Sequence, residues 1–125
     1  MKNIFILIQL FFSVLLSSHA LGQNFWEPTN GPSAGPIKGM IIKSDENIFV
    51  SASDFNGGVF VSTDNGENWI QKNNGLENPF VTSLALNSNG HIFAGNNYPV
   101  GGSGIYLSTD DGENWIPKNN GWIFF

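Results

Sequence analysis

The stretch Ser62-Thr63-Asp64-Asn65-Gly66-Glu67-Asn68-Trp69 returns 46 residues later as Ser108-Thr109-Asp110-Asp111-Gly112-Glu113-Asn114-Trp115, with seven of its eight letters unchanged. The likeness extends outward. Positions 61–75 and 107–121 agree at 12 of 15 places. Upstream the letters diverge but the pattern holds. Met40-Ile41-Ile42 matches Leu84-Ala85-Leu86, Asn47-Ile48-Phe49-Val50 matches His91-Ile92-Phe93-Ala94, and Gly58-Val59-Phe60-Val61 matches Gly104-Ile105-Tyr106-Leu107. The offset grows from 44 to 46, which places a two-residue insertion in the glycine-rich loop between Asn96 and Gly102. A fixed period of this length marks a chain built from repeated supersecondary units.

Each unit reads as four short β-strands. In the first they are Gly39–Lys43, Ile48–Ser51, Val59–Ser62 and Asn68–Lys72; in the second, Thr82–Asn87, Ile92–Gly95, Ile105–Ser108 and Asn114–Lys118. Between them stand turn formers: Ser44-Asp45-Glu46-Asn47, Ser88-Asn89-Gly90 and the two octets. No sustained 3.6-residue apolar period follows residue 22, so the expected class is all-β. Four strands in about 45 residues is the period of a β-propeller blade. The spacing predicts blades over about 33–75 and 77–121. Trp26-Glu27-Pro28-Thr29-Asn30-Gly31 echoes the end of the first unit, one residue shorter, and predicts a stray outer strand near 25–30.

Within the octet, the Asp64 carboxylate is expected to accept hydrogen bonds from N–H groups two and three residues on. Gly66 supplies a positive φ, and Trp69 returns over the hairpin to bury apolar area. Asp110, Gly112 and Trp115 are expected to repeat these roles. Pro117 stands in the last strand where the first unit has Gln71. Proline cannot donate to a ladder, so that strand is expected at a sheet edge.

Both octets resemble the Asp-box, or BNR repeat, with pattern Ser-x-Asp-x-Gly-x-x-Trp. The resemblance rests on Ser62, Asp64, Gly66 and Trp69 and on Ser108, Asp110, Gly112 and Trp115, and it covers about residues 33–121. It implies a hairpin between the third and fourth strands of a propeller blade, at the periphery. Sialidase-like, xyloglucanase-like, sortilin-like and photosystem II assembly factor-like propellers carry such boxes. The eight residues then serve structure, and the chain is expected to be the N-terminal part of an incomplete β-propeller, residues 23–125.

The chain opens on Met1-Lys2-Asn3, runs apolar from Ile4 to Leu16, and turns to small residues at Ser17, Ser18, Ala20 and Gly22. That order reads as a secretory signal peptide over residues 1–22, with cleavage expected after Ala20 or Gly22. The apolar core is shorter than the roughly 20 residues of a membrane span. No cysteine stands in the chain, which excludes a lipoprotein anchor and a disulfide framework. No integral membrane segment is expected in the mature chain. The expected location is periplasmic, cell-surface or extracellular, in a bacterium.

Charge narrows the partners. The formal net charge is −5, all five basic residues are lysines, and Lys2 leaves with the signal. Such a chain is not expected to bind nucleic acid, which is held by basic neutralisation. The sialidase likeness fails at one point. That family holds its substrate carboxylate with three arginines, this chain has none, and lysine cannot reproduce the bidentate fork.

A glycosidase needs two carboxylates about 5–10 Å apart across one bond. With the octet acids assigned to turns, Asp45, Asp54 and Glu77 remain, and their spacing pairs none of them, so no catalytic residue is assigned. His91, the one mature histidine, has no partner for a metal pair. Neither metal nor cofactor is expected. The loops joining second to third strands each carry an aromatic residue, Phe55 and Tyr98, and the second holds the insertion. These two are the candidate binding residues, by stacking on a sugar or meeting a protein. The resulting expectation is an exported, non-enzymatic propeller module for protein or glycan interaction or scaffolding, with self-association if the chain is complete. The alternative is the N-terminal part of a glycoside hydrolase whose catalytic blades lie elsewhere.

Overall fold

Runs rich in Ile, Val and Phe with period-two alternation suit a pleated, half-buried surface. The computed structural model describes residues 30–97 and 103–121, and over those residues it is all-β with no helix. The expected leader over 1–22, the stray strand near 25–30 up to Thr29, and Tyr98 lie outside the described residues.

Eight strands form two four-stranded antiparallel sheets, each paired in chain order. The first holds β1 (Ile37–Ile42), β2 (Ile48–Ala52), β3 (Gly58–Ser62) and β4 (Ile70–Gln71); the second holds β5 (Val81–Leu86), β6 (Ile92–Asn96), β7 (Gly104–Ser108) and β8 (Ile116–Pro117). The registers repeat. Phe49 faces Val61 and Val50 faces Phe60, as Phe93 faces Leu107 and Ala94 faces Tyr106. Even the irregularity early in the first strand recurs, between Ile37 and Gly39 and again between Val81 and Ser83.

The last strand of each sheet is shorter than its apolar letters predict. Asn68–Lys72 contracts to Ile70–Gln71, and Asn114–Lys118 to Ile116–Pro117. The cause is local. The backbone N–H groups of Asn68 and Asn114 are captured by the carboxylates of Asp64 and Asp110, so these residues belong to the turn and not to the ladder. Pro117 lies on β8, the outermost strand of its sheet, where a missing donor faces no neighbouring strand among the described residues.

The two sheets stack through unlike faces. Phe49, Val59 and Val61 of the first sheet share one core with Val81, Ile92, Ala94, Tyr106 and Trp115 of the second. The reverse face of the first sheet gathers Ala34, Val50, Ala52 and Phe60, with Ile48 and Trp69 partly buried against them. β1 lies beside β5, and a single bridge from Ser53 to Phe80 ties the sheets further. Polar contacts fasten the same junction. Lys72 Nζ pairs with Glu113, Lys43 Nζ with Asp111, and Asn74 Nδ2 donates to Asn114 Oδ1 at 2.6 Å. The hydrogen bond to Asp111 is the main cause holding the Lys43 ammonium above its ordinary value, against the opposing cost of desolvation.

Candidate functional site

The octets build one turn twice. Asn65 and Gly66 both have positive φ, 58° and 91°, and Asp111 and Gly112 repeat this at 58° and 82°. Two consecutive positive φ values inside an i→i+3 backbone bond, Glu67 N–H to the Asp64 carbonyl and Glu113 N–H to the Asp110 carbonyl, are the pattern of a type I′ turn. Asn-Gly and Asp-Gly are the dipeptides that such turns favour. The sequence reading assigned positive φ to the glycine alone; the residue before it carries the same signal.

Hydrogen bonding within the turn also differs from expectation. The Asp64 carboxylate reaches four residues on, accepting from the Asn68 backbone at 2.9 Å and from Asn68 Nδ2 at 2.8 Å. The serine holds the shorter reach. Ser62 Oγ donates to Asp64 Oδ1 and accepts from the Gly66 N–H, both at 2.8 Å. Ser108, Asp110, Gly112 and Asn114 repeat the set. These bonds hold both carboxyls below the usual carboxylate range. For Asp64 the Asn68 backbone N–H acts most, and for Asp110 the Asn114 side-chain amide.

The tryptophans part company. Trp69 Nε1 donates to the Gly66 carbonyl of its own turn at 3.1 Å. Trp115 Nε1 donates to the Lys72 carbonyl of the other sheet at 2.8 Å. Trp115 is only 3% exposed, whereas Trp69 is half-buried. The expectation that Trp115 repeats the role of Trp69 is thus corrected. A neighbouring sheet offers it a carbonyl and an apolar bed.

At the opposite end of β3, the loop Ser53–Gly57 shapes an open cleft. Asp54 Oδ1 accepts the Phe55 N–H at 2.6 Å, and the Gly57 N–H closes on the Asp54 carbonyl at 2.9 Å. The tight turn leaves Phe55 pointing outward, 77% exposed, edge-on to Phe80 with ring centres 5.3 Å apart. The cleft measures about 490 Å³ and runs between Phe55-Asn56, Ser33-Ala34, Pro79 and the pair Gln71 and Asn73, over the ring of Phe60. Among the described residues, no titratable side chain lines it.

Asn73 builds one wall and is fully engaged. Its Oδ1 accepts the Val59 N–H and its Nδ2 donates to the Gly57 carbonyl, both at 2.8 Å. Gln71 Nε2 donates to the carbonyls of Asn56 and Gly57. Sequence reasoning singled out Phe55 but missed Gln71, Asn73 and Ala34. The available signal was the identity of Lys72-Asn73-Asn74-Gly75 with Lys118-Asn119-Asn120-Gly121, four letters to which no turn role had been given.

The acids left over as catalytic candidates do not converge. Asp45 lies 3.7 Å from the Lys43 ammonium and accepts the Asn47 N–H. Asp54 holds the Phe55 turn. Glu77 lies beside the Tyr106 phenol, which burial chiefly, and the nearby carboxylate further, push above its ordinary value. His91 donates its backbone N–H to Asn87 Oδ1 in the turn before β6. Among the described residues no three of His, Asp and Glu gather as a metal site, and no helix is long and apolar enough to cross a membrane.

No family model matches this chain, and neither a curated protein nor a solved structure matches it.

Proposed function

We propose that this chain is an exported, non-enzymatic module of Asp-box propeller blades that captures a neutral ligand, a sugar or a peptide segment, in the Phe55 cleft. One observation carries the reading: an open cleft with no titratable side chain among its described lining residues, rimmed by an aromatic ring 77% exposed. An exposed ring on a sharply held turn is a stacking surface for a sugar face or an apolar side chain. The blade assignment draws support from two sheets of identical topology stacked in series, each with its octet turn between third and fourth strands. The hydrolase alternative needs two carboxylates across one bond. Asp45, Asp54 and Glu77 are each engaged at a different place and form no such pair, so the alternative keeps its catalytic residues on blades outside this chain.

The test is titration of the full chain with a panel of neutral oligosaccharides and short peptides, followed calorimetrically and by reducing-sugar release. Capture without turnover is the expected result, with Phe55→Ala weakening it about tenfold at unchanged melting temperature. Turnover of any glycan would replace this reading with the hydrolase.

A further inference from the structure

The junction inside the chain is a template, and both of its halves recur where no sheet is described against them. In the template, Trp115 donates its indole N–H to the Lys72 carbonyl at 2.8 Å and its backbone N–H to the Asn74 carbonyl at 2.9 Å. Glu113 pairs with Lys72, and Asn114 accepts from Asn74. Gly75, at φ 91°, leaves room for the Trp115 carbonyl; a Cβ there would collide with that oxygen.

Forty-six residues on, the receiving corner is already shaped. Lys118, Asn120 and Gly121 stand where Lys72, Asn74 and Gly75 stand in the first unit, and Gly121 has the same φ of 91°. Among the described residues, nothing lies within 4 Å of the position of its missing Cβ. The inserting half is also present. Glu67, Asn68 and Trp69 occupy the places of Glu113, Asn114 and Trp115, and Trp69 is half-buried where Trp115 is closed off.

The apolar faces agree. Met40 and Ile42, beside Trp69's face of the first sheet, are 64% and 58% exposed, while Leu84, the counterpart of Met40, packs on the shared core. On the far face of the second sheet, Phe93, Ile105 and Leu107 are half-buried at the places where Phe49, Val59 and Val61 are buried. Charge agrees as well, since Glu67 would meet Lys118 as Glu113 meets Lys72.

We propose that the chain associates head to tail with a second copy of itself, the Trp69 turn of one copy seating on the Lys118–Gly121 corner of the next. The contact is heterologous, so it closes into a ring or continues as an open chain. It draws on the sheet geometry alone and not on the Phe55 cleft.

Sedimentation velocity of the full chain over about two decades of concentration is the test, because association follows mass action. The expected result is a mass that rises in whole multiples of the chain. Gly121→Asn places a side chain where the incoming Trp69 carbonyl would sit, and asparagine tolerates the left-handed backbone. Association should weaken at least about tenfold while the melting of the dilute monomer is unchanged. Glu67→Lys and Lys118→Glu should each weaken association, and the double exchange should restore it. A wild-type chain monomeric at every concentration overturns the inference, as does a Gly121→Asn variant that associates as tightly as wild type. Ligand capture through Phe55 by a strictly monomeric chain would remove this inference and leave the proposed function standing.

Discussion

Trp115 reaches across the junction between the sheets and donates its indole N–H to the carbonyl of Lys72, 2.8 Å away. The same ring fills the core shared by both sheets. One side chain therefore supplies apolar burial and the partner of a backbone carbonyl that the strand ladder does not serve.

Trp115→Phe should keep most of the burial and lose the hydrogen bond. The expected cost is about 1–3 kcal/mol, the range for leaving a buried polar group unpaired. Trp115→Ala should cost about 3–5 kcal/mol. Trp69→Ala, at a half-exposed ring bonded within its own turn, should cost less than Trp115→Ala. Urea denaturation of the three variants ranks them; equal losses at Trp69 and Trp115 would contradict the asymmetry.

Asn73 ties β4 to the start of β3 through two bonds to backbone groups, and Asn119 accepts the Ile105 N–H in the same way. Val59 is fully buried, so its N–H has no access to water once the amide is removed. Asn73→Ala should destabilise by about 1–3 kcal/mol. Asn73→Asp keeps the acceptor and loses the donor to Gly57, so it should fall between wild type and alanine near neutral pH. Thermal melts order the three, and alanine indistinguishable from wild type would refute the role.

Acid should loosen both octet turns. The folded chain holds the Asp64 and Asp110 carboxyls below their ordinary value. Their contribution is therefore complete above about pH 4, the unfolded value, and is lost as pH falls through the lowered folded values. The melting temperature should be flat from about pH 7 to 5 and fall below about 4. The Asp64→Asn, Asp110→Asn double variant should start lower and lose less in acid. A melting curve equally acid-sensitive in wild type and double variant would place the titration elsewhere.

Ser51 is fully buried on the junction face of β2, and its Oγ has no hydrogen-bond partner among the described residues. Removing an unpaired buried hydroxyl removes a desolvation cost. Ser51→Ala should leave stability unchanged or raise it by up to about 1 kcal/mol. A loss above that in chemical denaturation would reveal a partner for the hydroxyl.

Much of this architecture was legible in the letters. Eight strands stand where alternating apolar runs and turn formers placed them, and Pro117 lies on the edge that its missing N–H demands. The fourth strands were over-read because Asn68 and Asn114 look like strand entry. Their N–H groups instead serve carboxylates four residues back, a bond that spacing alone does not announce. Of the cleft, only Phe55 was foreseen. Gln71 reaches it from β4, Asn73 from just past the end of that strand, and Ala34 from the segment before β1, so their meeting is a product of register and stacking.

Local chemistry was thus determined by sequence: two near-identical octets fold two near-identical turns, since every bond in the turn joins residues within four places of each other. The fate of the two tryptophans was not. Trp69 and Trp115 end the same octet, yet one bonds its own turn and the other a backbone carbonyl 43 residues away. Tertiary structure decided between them, because the first sheet lies against the tryptophan face of the second, and that neighbour turns a surface ring into core.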